Sequence, residues 1–129
     1  MNNKVVLDSS AMLALLQEEK GSEVVKPLIS SAVMSSVNVS EVLTVLGRNG
    51  LNLDEALILI KDILHDIAVF DLGDASASAD LKIKLKNKGL SLGDCACIAL
   101  GIKMELPIYT ADKVWVDLDL EGVEIILIR

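Results

Sequence analysis

Residues 4–21 read "KVVLDSSAMLALLQEEKG", and the fold turns on how this stretch changes character at Asp8. Val5, Val6 and Leu7 form a short apolar run without alternation, the pattern of a strand covered on both faces. Ala11, Leu15 and Leu16 then recur at helical spacing, and Gly21 offers a stop. Asp8 sits on the turn between strand and helix. An acid there has an ordinary structural use, because Asp and Ser side chains accept hydrogen bonds from the free N–H groups of a first helical turn. Whether Asp8 has a second use depends on what the rest of the chain brings to the same edge.

The change from apolar strand to helix repeats. Strands are expected at 5–7, 32–35, 68–70, 107–110 and 123–128, and helices over "EVLTVLGRNG", "LDEALILIKDILHDI" and "SLGDCACIALGIKMEL". Strands alternating with helices of this length predict one domain over residues 1–129, a three-layer α/β/α fold with a central parallel sheet of about five strands. The segment "LKIKLKNK" alternates with period two, which by pattern alone favours a strand. With "DASASAD" as a first turn and Gly89 as a stop it reads as a helix, pairing Lys82 with Lys86 and Lys84 with Lys88 on its surface.

Composition removes several classes of function. The chain is 52% hydrophobic, yet runs such as "ALILI" are far too short to span a bilayer, so no membrane association is expected. The N-terminus enters a strand without a leader-like succession of charged, apolar and small residues, which predicts a cytoplasmic protein. Cys95 and Cys97, two apart in a helix, point to different sides and read as buried small hydrophobes. His65 has no second histidine for a metal and reads as a solvated helix residue. A net charge of −7 has the wrong sign for gripping phosphates by electrostatics alone, and 2% aromatics leave no platform for stacking bases.

The acids are the remaining signal. Glu41 follows Asn38 by three residues and Asp94 follows Ser91 by three, both at capping-box spacing, and Asp112 lies just beyond the fourth strand after Thr110. In a parallel sheet every strand ends at the same edge, and the helices carrying Glu41 and Asp94 start from it, so Asp8, Glu41, Asp94 and Asp112 converge on one rim. That rim is where open α/β sheets place ligands. Close carboxylates repel, and a bound cation relieves the conflict. Oxygen donors without paired histidines or thiolates select a hard ion, Mg²⁺ or Mn²⁺.

Together "VVLDSSAMLALL", "SSVNVSEVL", "GLSLGDCACIALG" and "PIYTADKVW" resemble the successive motifs of PIN-domain ribonucleases, in particular the VapC toxins of toxin–antitoxin systems. The resemblance implies a metal-dependent endoribonuclease in which Asp8, Glu41, Asp94 and Asp112 form a catalytic, metal-binding quartet. Asp117 is able to replace or supplement Asp112. Ser9, Asn38 and Thr110 match polar positions beside those acids. A cation there would lower the pKa of a bound water for attack on a phosphodiester. The substrate would be RNA, held by the metal and by lysines such as Lys82, Lys84, Lys86, Lys88 and Lys113. The partner would be a cognate VapB-like antitoxin.

Two rival readings stay open. One is a non-catalytic PIN fold used for binding. The other is a phospho-receiver signalling domain, disfavoured because a single acid ends the first strand and Asp71, after the third, has no matching late lysine. Over 53–67 the apolar residues exceed what one buried face uses. With Leu57, Ile60, Leu64 and Ile67 facing the core, Ile58, Leu59 and Ile63 would join Met12, Leu13 and Leu16 in an exposed patch for an antitoxin segment, and a homodimer is expected beside it.

Overall fold

The computed structural model describes residues 3–129. Five strands, β1 (Val5–Leu7), β2 (Ala32–Ser35), β3 (Asp66–Ala68), β4 (Ile108–Thr110) and β5 (Ile125–Leu127), form one parallel sheet in the order β3-β2-β1-β4-β5. The central strands are apolar at almost every position because both faces are covered. Val5, Leu7, Ala32 and Met34 enter one core, and Val6, Val33 and Ile108 enter the other. Helices α1 (Ser9–Leu16), α2 (Ser22–Val25), α3 (Ser36–Arg48) and α4 (Leu53–Ile63) close the first core, while α5 (Leu72–Lys84) and α6 (Leu92–Met104) close the second. This is the expected three-layer α/β/α arrangement. The chain builds outward from β1 through β2 to β3, then returns to the other side of β1 with β4 and β5. Strand order therefore reverses between β1 and β4, and open α/β sheets bind ligands at the carboxyl edge beside such a reversal.

Several boundaries differ from the sequence reading. The third strand is 66–68 rather than 68–70, and the helix expected to run to Ile67 stops at Ile63. Leu64 turns extended and is buried, and Asp66 pairs with Val33 in the sheet and with the Lys4 ammonium at 2.5 Å. Sheet pairing overrides a helical period that continues in the sequence. His65 is exposed, but in this connection rather than in a helix. The stripe on α4 is rotated as well: Ala56, Ile60 and Leu64 are buried, whereas Leu57 and Ile67, assigned to the core, are 43% and 36% exposed. Ile63 is half-buried, and Met12, expected in the surface patch, is fully buried. The exposed apolar face of α4 consists of Leu53, Leu57, Ile58 and Leu59.

The strands around β4 and β5 are shorter than expected, at 108–110 and 125–127. Gly21 does not end α1, which closes at Gln17; it opens α2 with φ +101, and a Cβ there would meet the Ile128 carbonyl oxygen at 2.9 Å. The "LKIKLKNK" segment is helical up to Lys84, followed by a 3₁₀ turn over Lys86–Lys88 that closes at Gly89 (φ +67). Because α5 ends there, the four lysines do not form one stripe. No helix among the described residues is long and apolar enough to cross a membrane.

Candidate active site

Asp8 leaves β1 with extended backbone and caps α1, its Oδ1 accepting from the Ala11 N–H at 2.8 Å. The ordinary use of this acid is real. The pairing of β1 with β4 also brings Thr110 alongside, and Thr110 Oγ1 donates to Asp8 Oδ2 at 2.6 Å. Ser10 Oγ lies 2.7 and 2.8 Å from the two carboxylate oxygens and accepts from the Ala111 N–H at 2.9 Å, tying the α1 turn to the end of β4. Asp8 is 4% exposed. Burial pushes its pKa up to about 6, outweighing the hydrogen bonds from Thr110, Ala11 and Ser10, and the charge of Asp94 pushes in the same direction as burial.

Glu41 stands in the second turn of α3, whose cap is Ser35 rather than Asn38. Asn38 is buried inside the helix, and its Nδ2 bridges Glu41 Oε1 at 2.9 Å and the Gly93 carbonyl at 3.0 Å. Ser9 Oγ donates to the same Oε1 at 3.0 Å. The capping-box reading of Asn38 and Glu41 therefore gives way to a side-chain bridge between α3 and α6. The capping box is present at Asp94, where Ser91 N–H donates to Oδ2 at 2.9 Å and Asp94 N–H donates to Ser91 Oγ at 3.1 Å. Asp112 caps the 3₁₀ turn Lys113–Asp117 through the Val114 N–H at 3.0 Å, and its own N–H donates to Thr110 Oγ1 at 3.0 Å. Asp117, at the far end of that turn, is exposed and makes no hydrogen bond to these side chains.

A common pattern runs through three of the four acids. Glu41, Asp94 and Asp112 each commit one carboxylate oxygen to a structural hydrogen bond, leaving Glu41 Oε2, Asp94 Oδ1 and Asp112 Oδ2 without a hydrogen bond among the described residues. Capping and ligation are thus compatible on one side chain. Cys97 is fully buried; burial pushes its thiol pKa well up, and the charges of Asp8, Asp94 and Glu41 add to that shift. As the side chains stand, no group of three or more His, Cys, Asp or Glu residues among those described is close enough to hold a metal ion. The free donors are all hard oxygens, the chemistry that suits Mg²⁺ or Mn²⁺.

The sequence profile of the PIN domain matches residues 5–120. The chain belongs to the PIN domain family. Solved structures agree with that fold. A VapBC toxin–antitoxin structure from Mycobacterium tuberculosis matches at 24% identity and TM-score 0.66, covering 96% of this chain and 98% of that one. VapC20, a sarcin–ricin loop cleaving toxin from Mycobacterium tuberculosis, matches at 16% identity and TM-score 0.73, covering 94% and 99%. DNA-bound VapBC from Salmonella typhimurium matches at 15% identity and TM-score 0.72, covering 98% of both chains. No curated protein matches by sequence.

In this PIN domain Asp71, the residue a phospho-receiver would need, is an exposed cap of α5 bonded to the Asp74 N–H at 2.9 Å. The basic residues are dispersed. Lys84 pairs with Asp80 at 2.8 Å, the Lys82 ammonium donates to the Leu90 carbonyl, and Lys86, Lys88 and Lys113 are exposed. Cys95 and Cys97 are free and buried, as read from the sequence. Two residues of the site had no part in the sequence reading of the quartet. Ser10 had no reading of its own, and Gly93 entered only as a letter of the "GLSLGDCACIALG" motif. A Cβ on Gly93 would lie 2.2 Å from Glu41 Oε2, so the glycine immediately before Asp94 is the space that the Glu41 carboxylate occupies.

Proposed function

We propose that this PIN domain is a Mg²⁺- or Mn²⁺-dependent endoribonuclease, the toxin of a toxin–antitoxin pair. The observation that carries the reading is the set of unspent carboxylate oxygens on Glu41, Asp94 and Asp112 beside a buried Asp8 at the reversal of strand order. Asp8, Glu41, Asp94 and Asp112 would hold the cation. When bound it supplies an acidified water and neutralises charge on the leaving oxygen of the phosphodiester. The chain's own part is positioning. Ser9 and Asn38 orient Glu41, while Thr110 and Ser10 fix Asp8 in one rotamer.

Incubation with total RNA, with and without Mg²⁺, followed by mapping of the cut ends, tests the activity. A linkage measurement tests the metal independently: an ion that binds only the folded chain adds about 2.7 kcal/mol of stability at a hundred times its dissociation constant. An unchanged melting temperature across millimolar Mn²⁺ would count against a metal site. Among the described residues no three ligands stand preassembled, which favours the second reading, a non-catalytic binding module, and that reading predicts a flat response and no metal-dependent cleavage.

The partner under this reading is a VapB-like antitoxin. Supporting it are the exposed Leu53, Leu57 and Ile58 of α4 beside a groove lined by Leu43, Gly47 and Leu51. Co-expression with an adjacent small gene product is expected to give a stable, inactive complex. Leu57→Glu and Ile58→Glu should weaken that complex while metal-dependent cleavage persists. A homodimer through a separate surface is compatible with it.

A further inference from the structure

A cavity of about 370 Å³ lies between Phe70, α5 and the first turn of α6, the turn that carries Asp94. Its walls are Phe70, Ala75, Ala79 and Leu92, and Leu92 is 61% exposed. Ser78 sits on the inner wall, 1% exposed, and its hydroxyl has no hydrogen-bond partner. Lys82 and Cys95 also line the cavity, and Cys95 directly follows Asp94 in the first turn of α6, which puts the pocket next to the acidic rim. On the opposite wall, the Phe70 N–H donates to Ser36 Oγ at 3.1 Å at the start of α3, on the same sheet edge.

Charge separates this cavity from two others. One of those is bordered by Asp80, Asp119 and Glu121 against Lys84 and Lys103, and the other by Asp54 against Arg48, so neither has a net positive lining, whereas this one has one lysine and no carboxylate. In a chain of net charge −7 that is a local reversal. A ligand suited to it has a flat apolar body, one polar edge and a negative group beside it. We propose that the cavity receives a single unstacked nucleobase of an RNA strand lying across the rim. Phe70 and Leu92 contact its faces, Ser78 Oγ bonds its polar edge, and Lys82 meets the adjoining phosphate. Single-stranded RNA is read in this way, by splayed bases held against aromatic and apolar side chains and bonded at their edges. The inference rests on the nuclease reading for its substrate, and it adds a site that would select which base lies beside the cut. One slot with one phenyl ring also accords with so few aromatics, since a stacking platform needs several.

The test uses the full chain in EDTA, so that nothing is cleaved, with each of the four nucleoside 5′-monophosphates as probe. The methyl resonances of Ala75, Ala79 and Leu92 are expected to shift on titration, with one base preferred. Ala79→Leu, an exposed change that fills the slot, should weaken that binding by about tenfold, in line with loss of a base-stacking contact. Ser78→Ala, which removes an unpartnered hydroxyl and should fold as well as the parent, should narrow the difference among the bases. Nucleotides that leave these methyls unmoved, or bind Ala79→Leu as tightly, overturn the proposal. So does an amphipathic peptide that moves the methyls where no nucleotide does. RNA cleavage measured separately with Mn²⁺ divides the two readings. Cleavage with no methyl shifts sinks the slot alone, and methyl shifts without cleavage uphold the slot and sink the nuclease.

Discussion

At neutral pH without divalent metal, Asp8→Asn is expected to melt about 10 °C above the parent chain, for a stability gain of about 3 kcal/mol. Burial raises the Asp8 pKa from 3.8 to about 6 in the folded state. A carboxyl that binds its proton more tightly when folded contributes stability below pH 4, where both states are protonated. It loses that contribution as pH rises from about 4 to 6, and above 6 the folded chain carries a desolvated charge. Asparagine has the same shape, and its oxygen still accepts from Ala11 N–H, but it has no charge to desolvate. The gain should therefore vanish when melting is repeated below pH 4. Saturating Mn²⁺ should narrow it from the other side, because a cation restores the value of the ionised acid. Cleavage should fall by a factor of about a hundred or more, beyond the usual cost of losing a supporting partner of a ligand. An Asn variant that is less stable than the parent at pH 8 would refute the account of Asp8 as a net cost to the metal-free fold.

Gly93→Ala is expected to keep the fold and lose about a hundredfold in cleavage, the scale of a catalytic group displaced by about 1 Å. The added methyl would lie 2.2 Å from Glu41 Oε2 and 2.4 Å from its carboxyl carbon. What it meets is the end of a flexible side chain rather than backbone, so the chain yields by turning Glu41 away. That breaks the hydrogen bonds from Ser9 and Asn38 and leaves the buried Asn38 amide with only the Gly93 carbonyl. Loss of one such bond costs about 1 kcal/mol. The separation of a small stability loss from a large activity loss is the diagnostic result, read by melting and by cleavage on the same preparation. A Gly93→Ala variant of full activity would show that Glu41 need not stand where it does.

The sheet and its rim were legible because they depend on local signals. "VVLDSS" and "PIYTAD" are apolar runs cut off by an acid, and parallel topology alone sends Asp8 and Asp112 to one edge. Asp94 was legible as a capping box, and it is one. The end of α4 was not legible, since the period of Ile60, Leu64 and Ile67 continues past the point where Asp66 joins β2, and that pairing lies far away in sequence. The capping reading of Asn38 failed for a related reason, whereas its place beside Glu41, implied by the resemblance, agrees with the hydrogen bond between them. The spacing of Asn38 to Glu41 suits a cap, but Ser35 had already taken that position, freeing Asn38 to bridge to the Gly93 carbonyl 55 residues on. Gly93 and Ser10 act through contacts between elements, which no local pattern encodes.

The half-used carboxylates have a consequence for the order of events in the life of the chain. Each acid that would face a cation already has a task in the fold itself: Asp8 starts α1, Asp94 starts α6, Asp112 starts a turn, and Glu41 joins α3 to the Ser9 hydroxyl. Folding can then finish with no ion present, unlike small metal-built domains whose apo forms are unfolded. The catalyst would be completed afterwards, as a separate event, on a scaffold that has been waiting in its final shape.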